Sequence, residues 1–546
     1  MTKAIVDIET DGIDANIIHC IVARSYGSDK EKIWIGDECQ QFGDWSRQID
    51  QFIMHNGISF DAPILNRLTG SQIKLSQVRD TLIESQLYNP IRDGGHSLEA
   101  WGERLQFPKG NFTEFKYYSP EMLEYCKKDV ELTGKLAKTM EEEGKRFSSQ
   151  SYELERKVRA IVDQQQNNGF AFNIRKAMLF LSQLEDEQHE LERKADEMFE
   201  PVITYSPVKK IPKSTPFNIA SRKQIAERLM EKGWKPKHHT DKGSIIVSEE
   251  ILEKINMEEA KMFSRYFLLQ KRTGLLKSWI QECDEDERVR GRVLTLRTIT
   301  GRMAHHSPNM AQVPAIYSPY GKECRELWRV SNPDTHVLIG TDASGLELRC
   351  LAHYMDDKRF TREVLTGDVH TANQKAAGLE TRDQAKTFIY AFLYGAGPSK
   401  IGKVVGAGAK RGQYLISNFL KNMPNLKRLR DNITEAAKSG TVKGLDGRQL
   451  HIRSPHASLN TLLQGAGAII CKQWLVHIDE RIRKSGIDAR LVASVHDEYQ
   501  FEVAKQDIKS FGWITKQAMQ ETTQTLKMKC PLDCEYKVGN TWAETH

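Results

Sequence analysis

The chain has 546 residues, 28% of them charged, and a formal net charge of +6. At roughly 150 residues per domain this length predicts three or four domains with substantial cores. The modest positive balance permits nucleic-acid binding without arguing for it. No basic-then-apolar leader opens the sequence and no apolar run nears the roughly 20 residues of a membrane span, so neither secretion nor a membrane partner is expected.

Nine scattered cysteines, with Cys530-x3-Cys534 the only close pair and no zinc-spaced ligands beside it, predict free thiols in a reducing compartment. In chain order, the first block runs to about Arg146 and opens with Ala4-Ile5-Val6 as a buried strand. Asp7 and Glu9 follow, and side chains two apart on a strand face the same way. His55-Asn56-Gly57-x2-Phe60-Asp61 adds a third carboxylate. Tyr125-x3-Asp129 places a hydroxyl and a fourth carboxylate one helical turn apart. A bare Asp-x-Glu is most often an ordinary strand end; four carboxylates and a tyrosine are a rarer set. His96-Ser97-Leu98-Glu99-Ala100-Trp101 is assigned a structural role.

From Ser151 to about Met198 the pattern predicts long helix. Four prolines between Pro201 and Pro216 then forbid its continuation. Pro201–Thr240 holds nine Lys/Arg against two Asp/Glu. Such runs are usually solvated faces. Here the run is read as a surface that tracks a nucleic-acid backbone, with Lys209, Lys210 and Lys213 as candidate contacts.

Beyond about Arg292, His336–Thr341 reads as a buried strand ending at Asp342. Val369–Lys438 is mostly helical. Within it Arg382, Lys386, Tyr390 and Tyr394 recur every fourth residue, drifting slowly around one face with about 6 Å between steps. Two cations at that pitch can grip successive phosphates. Leu491–Val495 and Tyr499–Val503 read as strands joined at His496-Asp497-Glu498. If the Asp342 and Asp497 strands share a sheet, their tips can share two divalent metals about 3.5–4 Å apart. Magnesium suits such an all-oxygen site, and manganese can substitute.

These motifs resemble those of family A DNA polymerases, the DNA polymerase I group, and in particular the replicative polymerases of short-tailed bacteriophages. Asp342-Ala-Ser-Gly-Leu-Glu-Leu-Arg resembles motif A, Arg382 to Gly395 motif B, and His496-Asp497-Glu498 motif C. Thr300-Gly301-Arg302 resembles the primer–template contact motif, Gly367–Thr371 the start of the fingers, and Ser454 through Asn460 and Gln464 the segment near the primer end. The resemblance implies metals held by Asp342 and Asp497, with the Ala343 carbonyl assisting and Glu498 in support. It implies triphosphate contacts from His370, Arg382 and Lys386, and a sugar gate at Glu347. It further implies Tyr390 and Tyr394 at the nucleotide, and DNA contacts from Arg302, Arg448, Arg453, Asn460, Gln464 and His496. The first block resembles a DEDD-type 3′→5′ exonuclease in its tyrosine form, with metals on Asp7, Glu9, Asp61 and Asp129 and Tyr125 orienting water.

The implied fold is an α/β multidomain chain: an RNase H-like 3′→5′ exonuclease domain at 1–147 and a right-hand polymerase. The latter has its thumb at 148–295, palm at 296–368 and 441–546, and fingers at 369–440. The implied ligands are primer–template DNA and deoxynucleoside triphosphates. The implied accessory partners are a replicative helicase-primase and a single-strand binding protein, in the cytoplasm of a bacterial host if the chain is phage-encoded. Pro201–Pro216 stands where some phage relatives carry a long thioredoxin-binding insertion, so thioredoxin is not expected as a partner. The competing readings are a repair polymerase, a single-subunit RNA polymerase and an inactive DNA-binding scaffold. Glu347 and the exonuclease block argue against the second, and the complete sets of carboxylates against the third.

Overall fold

The computed structural model describes residues 2–205 and 212–546, without the side chains of 204, 205, 212 and 213. The first body is a five-stranded mixed sheet in the order β3-β2-β1-β4-β5. It comprises β1 (Lys3–Thr10), β2 (Ile18–Ser25), β3 (Glu31–Ile35), β4 (Gln51–Met54) and β5 (Val78–Asp80). β1 is central, antiparallel to β2 and parallel to β4. A strand covered on both faces needs a nearly unbroken apolar run, and Ala4, Ile5, Val6 and Ile8 supply it. Around this sheet lie α1 (Asp61–Thr69), α2 (Leu98–Arg104) and α3 (Pro120–Gly144). Ser119 caps α3 by accepting from the Met122 amide, and Pro120 occupies its first turn.

The long helix expected over 151–198 is two helices, α4 (Ser149–Asn168) and α5 (Ile174–Met198). Gly169, at φ +62°, ends α4 in a conformation that L side chains rarely adopt. Phe170–Ala171 then leaves as a short strand paired with Arg288–Val289. α5 packs along α6 (Glu258–Gln281). Between them a small core forms around Phe199, Phe217 and Phe263, whose ring centroids lie 4.6–5.8 Å apart. Within the proline-rich stretch, Val202–Tyr205 pairs with Pro212–Thr215 as an antiparallel hairpin. Lys209 and Lys210 lie outside the described residues; Lys213 falls on the second strand, its side chain outside the description.

The second body is an antiparallel sheet in the order β7-β8-β6-β9: β6 (His336–Ala343), β7 (Ala489–Val495), β8 (Glu498–Ala504) and β9 (Cys534–Gly539). The helices that frame it are α7 (Leu346–Met355), α8 (Val369–Ala377), α9 (Arg382–Leu393) and α10 (Ser458–Ser485). α10 is buried at nearly every residue from Ser458 to Ile478, and the polar groups it carries inside, Lys472 and His477 among them, are paired there. No helix among the described residues is long and apolar enough to cross a membrane.

α4 is wedged between the two bodies. Toward the first sheet its Tyr152 hydroxyl accepts from the Asp80 amide at 2.7 Å, and Asp163 accepts from Ser59 at 2.6 Å. Toward the second, Glu155 accepts from Lys472 Nζ at 2.7 and 2.8 Å and pairs with Arg448 at 2.7 Å, while Arg448 also pairs with Asp446 at 2.7 Å. This corrects one expectation. Arg448 does not stand open to DNA: it is 2% exposed, and its guanidinium is committed to two buried carboxylates.

Candidate active sites

β6 and β8 pair in the register Asp342↔Glu498, and β7 pairs with β8 as Val495↔Glu498. The hairpin connection is therefore the two residues His496-Asp497, and Glu498 belongs to a strand rather than to the tip expected from sequence. His496 has φ +57°, as a two-residue hairpin requires. The Ala343 amide donates to the Asp497 carbonyl at 3.2 Å. Pairing thus brings Asp342 and Asp497, distant in sequence, to one end of one sheet. After Ala343, Gly345 at φ +59° turns the chain into α7, which carries Glu347.

The electrostatics are those of crowded carboxylates. Asp342 is open to solvent, yet the low-dielectric walls of the cleft first, and then the charges of Asp497, Glu498, Glu535 and Glu347, push its pKa up to about 7. Asp497 is raised by burial and by Glu347. Glu498 behaves oppositely. Burial alone would raise it, but hydrogen bonds from His546 at 2.7 Å and Trp542 at 2.6 Å, with the Arg325 charge nearby, hold it below the usual range. Its oxygens are thus committed to the last residues of the sequence and to Gln500. Sequence reasoning did not foresee this anchoring, which only the fold-back of residues 540–546 creates.

Beside the aspartates is a cavity of about 300 Å³ lined by Gly301, Arg302, Glu347, Tyr394, Lys472 and Asp497, among others. The Tyr394 hydroxyl donates to Glu347 at 3.0 Å. Tyr390 lies one turn back on α9, half-buried, its ring 6.2 Å from that of His370. Further out, Lys386 is exposed, and Arg382 pairs with Asp368, the cap of α8, at 2.8 Å. Among the proposed DNA contacts, Arg302 lines the cavity and His496 is exposed at the hairpin turn. Arg453 is also exposed, and Asn460 and Gln464 are half-buried one turn apart on α10.

In the first body, Asp7 and Glu9 project from β1, Asp61 begins α1, and Tyr125 and Asp129 lie on α3. The loop ahead of Asp61 is fixed by Asp80, which accepts from the Asn56 and Ile58 amides at 3.0 and 3.2 Å. Burial raises Asp61 to about 7, and burial with the Asp129 charge raises Glu9 to about 8. Asp7 is held well above the carboxylate range by burial and then by Asp129, Asp61 and Glu9. Cys126 Sγ lies 3.5 Å from Asp7 Oδ2; burial keeps this thiol protonated, so the hard donors here are oxygens. Asp129 Oδ1 is buried with no hydrogen-bond partner, while its Oδ2 pairs with Lys109 at 2.7 Å. Lys109 and Cys126 are the residues that sequence reasoning missed: neither belongs to a spaced motif.

Comparison with known proteins bears most directly on the second body. The model of DNA polymerase family A matches residues 179–544. The DNA-directed DNA polymerase of Escherichia phage T7 is 31% identical over 99% of this chain and 99% of its own length. That of Enterobacteria phage T3 is 32% identical over 90% and 92%. A solved structure of the polymerase domain of Pol1 from M. smegmatis, in complex with DNA primer–template and dNTP, is similar with a TM-score of 0.82 at 16% identity. It covers 100% of this chain and 96% of that one.

Proposed function

The chain belongs to DNA polymerase family A, and from that premise we propose that it extends a primer 3′ end with template-directed deoxynucleotides and removes terminal nucleotides with a 3′→5′ exonuclease. The observation that carries this reading is the strand register that brings Asp342 and Asp497 to one end of the sheet, with Asp497 lining the Glu347–Tyr394 cavity. In it, residues 1–147 are an RNase H-like exonuclease domain, 148–295 the thumb, 369–440 the fingers, and the segments either side the palm. Near end-to-end likeness to the two phage polymerases favours a replicative role over repair, with a helicase-primase and a single-strand binding protein as accessory partners.

Both carboxylate sets fit divalent cations such as magnesium. The donors are all oxygen, Asp342 is strained by unneutralised neighbours, and Asp129 Oδ1 is buried without a partner. Asp342 and Asp497, with the Ala343 carbonyl, would hold the pair in one site, and Asp7, Glu9, Asp61 and Asp129 in the other. Such ions supply a nucleophilic oxygen at neutral pH and neutralise charge on the phosphoryl group. The protein's own residues do the rest. Arg382, Lys386 and His370 receive the triphosphate, Arg382 exchanging its Asp368 partner for phosphate. Glu347, fixed by Tyr394, crowds the sugar 2′ position. Tyr125 orients the attacking water at the degradative site.

Separation of the two activities tests the reading. Asp497→Asn should abolish primer extension and spare single-strand degradation, and Asp7→Ala with Glu9→Ala should do the reverse. A folded variant that lost both activities by either route would refute the assignment of two independent sites.

A further inference from the structure

The cation at the degradative site has no assigned role. Lys109 stands on the loop between α2 and α3, with Nζ 2.7 Å from Asp129 Oδ2 and 4.7 Å from the centroid of the Tyr125 ring. Its position is built rather than incidental. The loop leans on Gly102 of α2, where an added Cβ would come within 2.8 Å of the Phe107 carbonyl and 2.9 Å of the Lys109 amide nitrogen. Phe107 also donates its amide to the Gly102 carbonyl at 2.8 Å. Farther along, Phe112 and Phe115 pack 5.1 Å apart and lie 5.8 and 6.2 Å from Tyr125. The Phe115 carbonyl meets His19 Nε2 at 3.0 Å. A lysine over the Tyr125 ring, which itself packs with Phe112 and Phe115, at the edge of an acidic cluster is the chemistry that grips a single-stranded end: charge for the phosphate, π-faces for the base.

Charge counting gives Lys109 its task. Four carboxylates face the pocket, and with two divalent cations that set is neutral. The phosphodiester of a bound strand then adds one negative charge, and the transition state for attack by hydroxide adds a second. Were Asp129 to hold a cation, Nζ would lose its carboxylate partner, and its flexible four-carbon stem would leave it free to meet a phosphoryl oxygen. We propose that Lys109 is a catalytic residue of the 3′→5′ exonuclease, contacting the terminal phosphodiester and stabilising the charge that develops on it. This rests on the exonuclease reading above. The reaction is plain hydrolysis: the water hydroxyl joins phosphorus, the bond from phosphorus to the preceding 3′-oxygen breaks, and the proton ends on that oxygen. Lys109 forms no covalent bond and transfers no proton; in the ground state without DNA it is the counter-ion of Asp129.

The test compares the parent with Lys109→Met and Lys109→Arg in the full chain. Three quantities are read: degradation of single-stranded DNA in magnesium, binding of thymidine 5′-monophosphate by calorimetry in calcium, and primer extension with melting as the control for folding. Lys109→Met should lose about 10- to 100-fold in degradation and about tenfold in monophosphate affinity, the usual worth of one charge-assisted hydrogen bond. Primer extension and melting should not change, and Lys109→Arg should recover most of both losses. Parent-like degradation and affinity in Lys109→Met would overturn the proposal and leave the exonuclease assignment standing. If the parent left single strands intact while Lys109→Met still weakened monophosphate binding, Lys109 would remain a nucleotide contact and the degradative reading would fall instead.

Discussion

Glu155→Gln is the sharpest probe of how the two bodies are joined. The carboxylate is fully buried between Lys472 and Arg448. Removing one partner of a buried ion pair usually costs about 3–5 kcal/mol, because a charge is left unpaired. Here the cost should be smaller, since Lys472 has an escape. Burial first, and then the Arg448 charge, already lower its pKa to about 8 against the pull of Glu155. Shedding its proton at pH 7 therefore costs only about one further unit, or about 1.4 kcal/mol. Arg448 cannot deprotonate but keeps Asp446, and the glutamine side-chain oxygen can still accept from it, so its loss is part of the roughly 1.5–3 kcal/mol of one charged hydrogen bond, about 1–2 kcal/mol. The sum is about 2–3 kcal/mol at pH 7. At about 2–4 °C per kcal/mol, the scale for domains of 150–250 residues, melting should fall by about 4–12 °C.

The pH dependence carries the mechanism. A lysine whose folded pKa lies below its unfolded value disfavours the fold at low pH, and the penalty fades as pH rises toward the unfolded value. In the variant the folded pKa drops further, so the penalty begins to fade at lower pH than in the parent. The gap in stability between the two should therefore widen as pH falls from about 8 toward the variant's own lysine pKa, by up to about 1.4 kcal/mol per unit, and stay constant above about pH 8, where both folds gain equally. Adding Lys472→Met should flatten that dependence. Calorimetric melting from pH 6 to pH 9 reads all of this, and a gap that does not vary with pH, or a melting shift under about 1 °C, would refute the reasoning.

Glu347→Ala should admit ribonucleotides at least about tenfold more readily, since bulk and a charged hydrogen-bond partner leave together; Tyr394→Phe, which only frees Glu347, should act in the same direction more weakly. Matched ribo- and deoxynucleotide incorporation measures both, and an unchanged ratio removes Glu347 as gate. Tyr390→Phe should raise discrimination against dideoxynucleotides by about tenfold or more, because the parent hydroxyl can stand in for the missing 3′-hydroxyl and spare an unpaired polar group about 1–3 kcal/mol; single-nucleotide insertion kinetics decide, and strong rejection by the parent would sink the role. Replacing Lys209, Lys210 and Lys213 by Ala should flatten the slope of log affinity for primed DNA against log salt, since fewer counterions are released, and added thioredoxin should not lengthen products. A parental slope, or a large thioredoxin effect, would show that the segment was misread.

Local pattern carried much of this reading. Asp7 and Glu9 converge because strand side chains alternate, and Tyr125 and Asp129 converge because a helix turns every 3.6 residues. Such geometry is written in spacing. The Asp342–Asp497 convergence is not: it depends on a ladder between strands far apart in the chain, and spacing alone left the hairpin tip one residue too long. The break at Gly169 was legible in Asn167-Asn168-Gly169, an ordinary helix stop that the helical pattern on both sides overrode. Arg448 misled because the resemblance offered it to DNA; nothing local announces a buried acid contributed by residue 155. Lys109, Trp542 and His546 were invisible for the same reason, each gaining its meaning only from a partner brought in by tertiary packing.

Helix α4 bears on where this protein can be cut. A polymerase fragment freed of the first body would begin, by sequence alone, after the first block. Starting past residue 168 would discard Glu155 and strand Lys472 and Arg448 in the interior. Starting at 148 would keep them but bare the flank that carries Tyr152 and Asp163, whose partners Asp80 and Ser59 would be gone. The helix is common property, so neither half can be excised without exposing a surface made for the other. The proposed exonuclease is therefore better silenced by changing Asp7 and Glu9 than by deletion. A truncated enzyme that lost heat resistance would be reporting its severed seam rather than any fault in its synthetic centre.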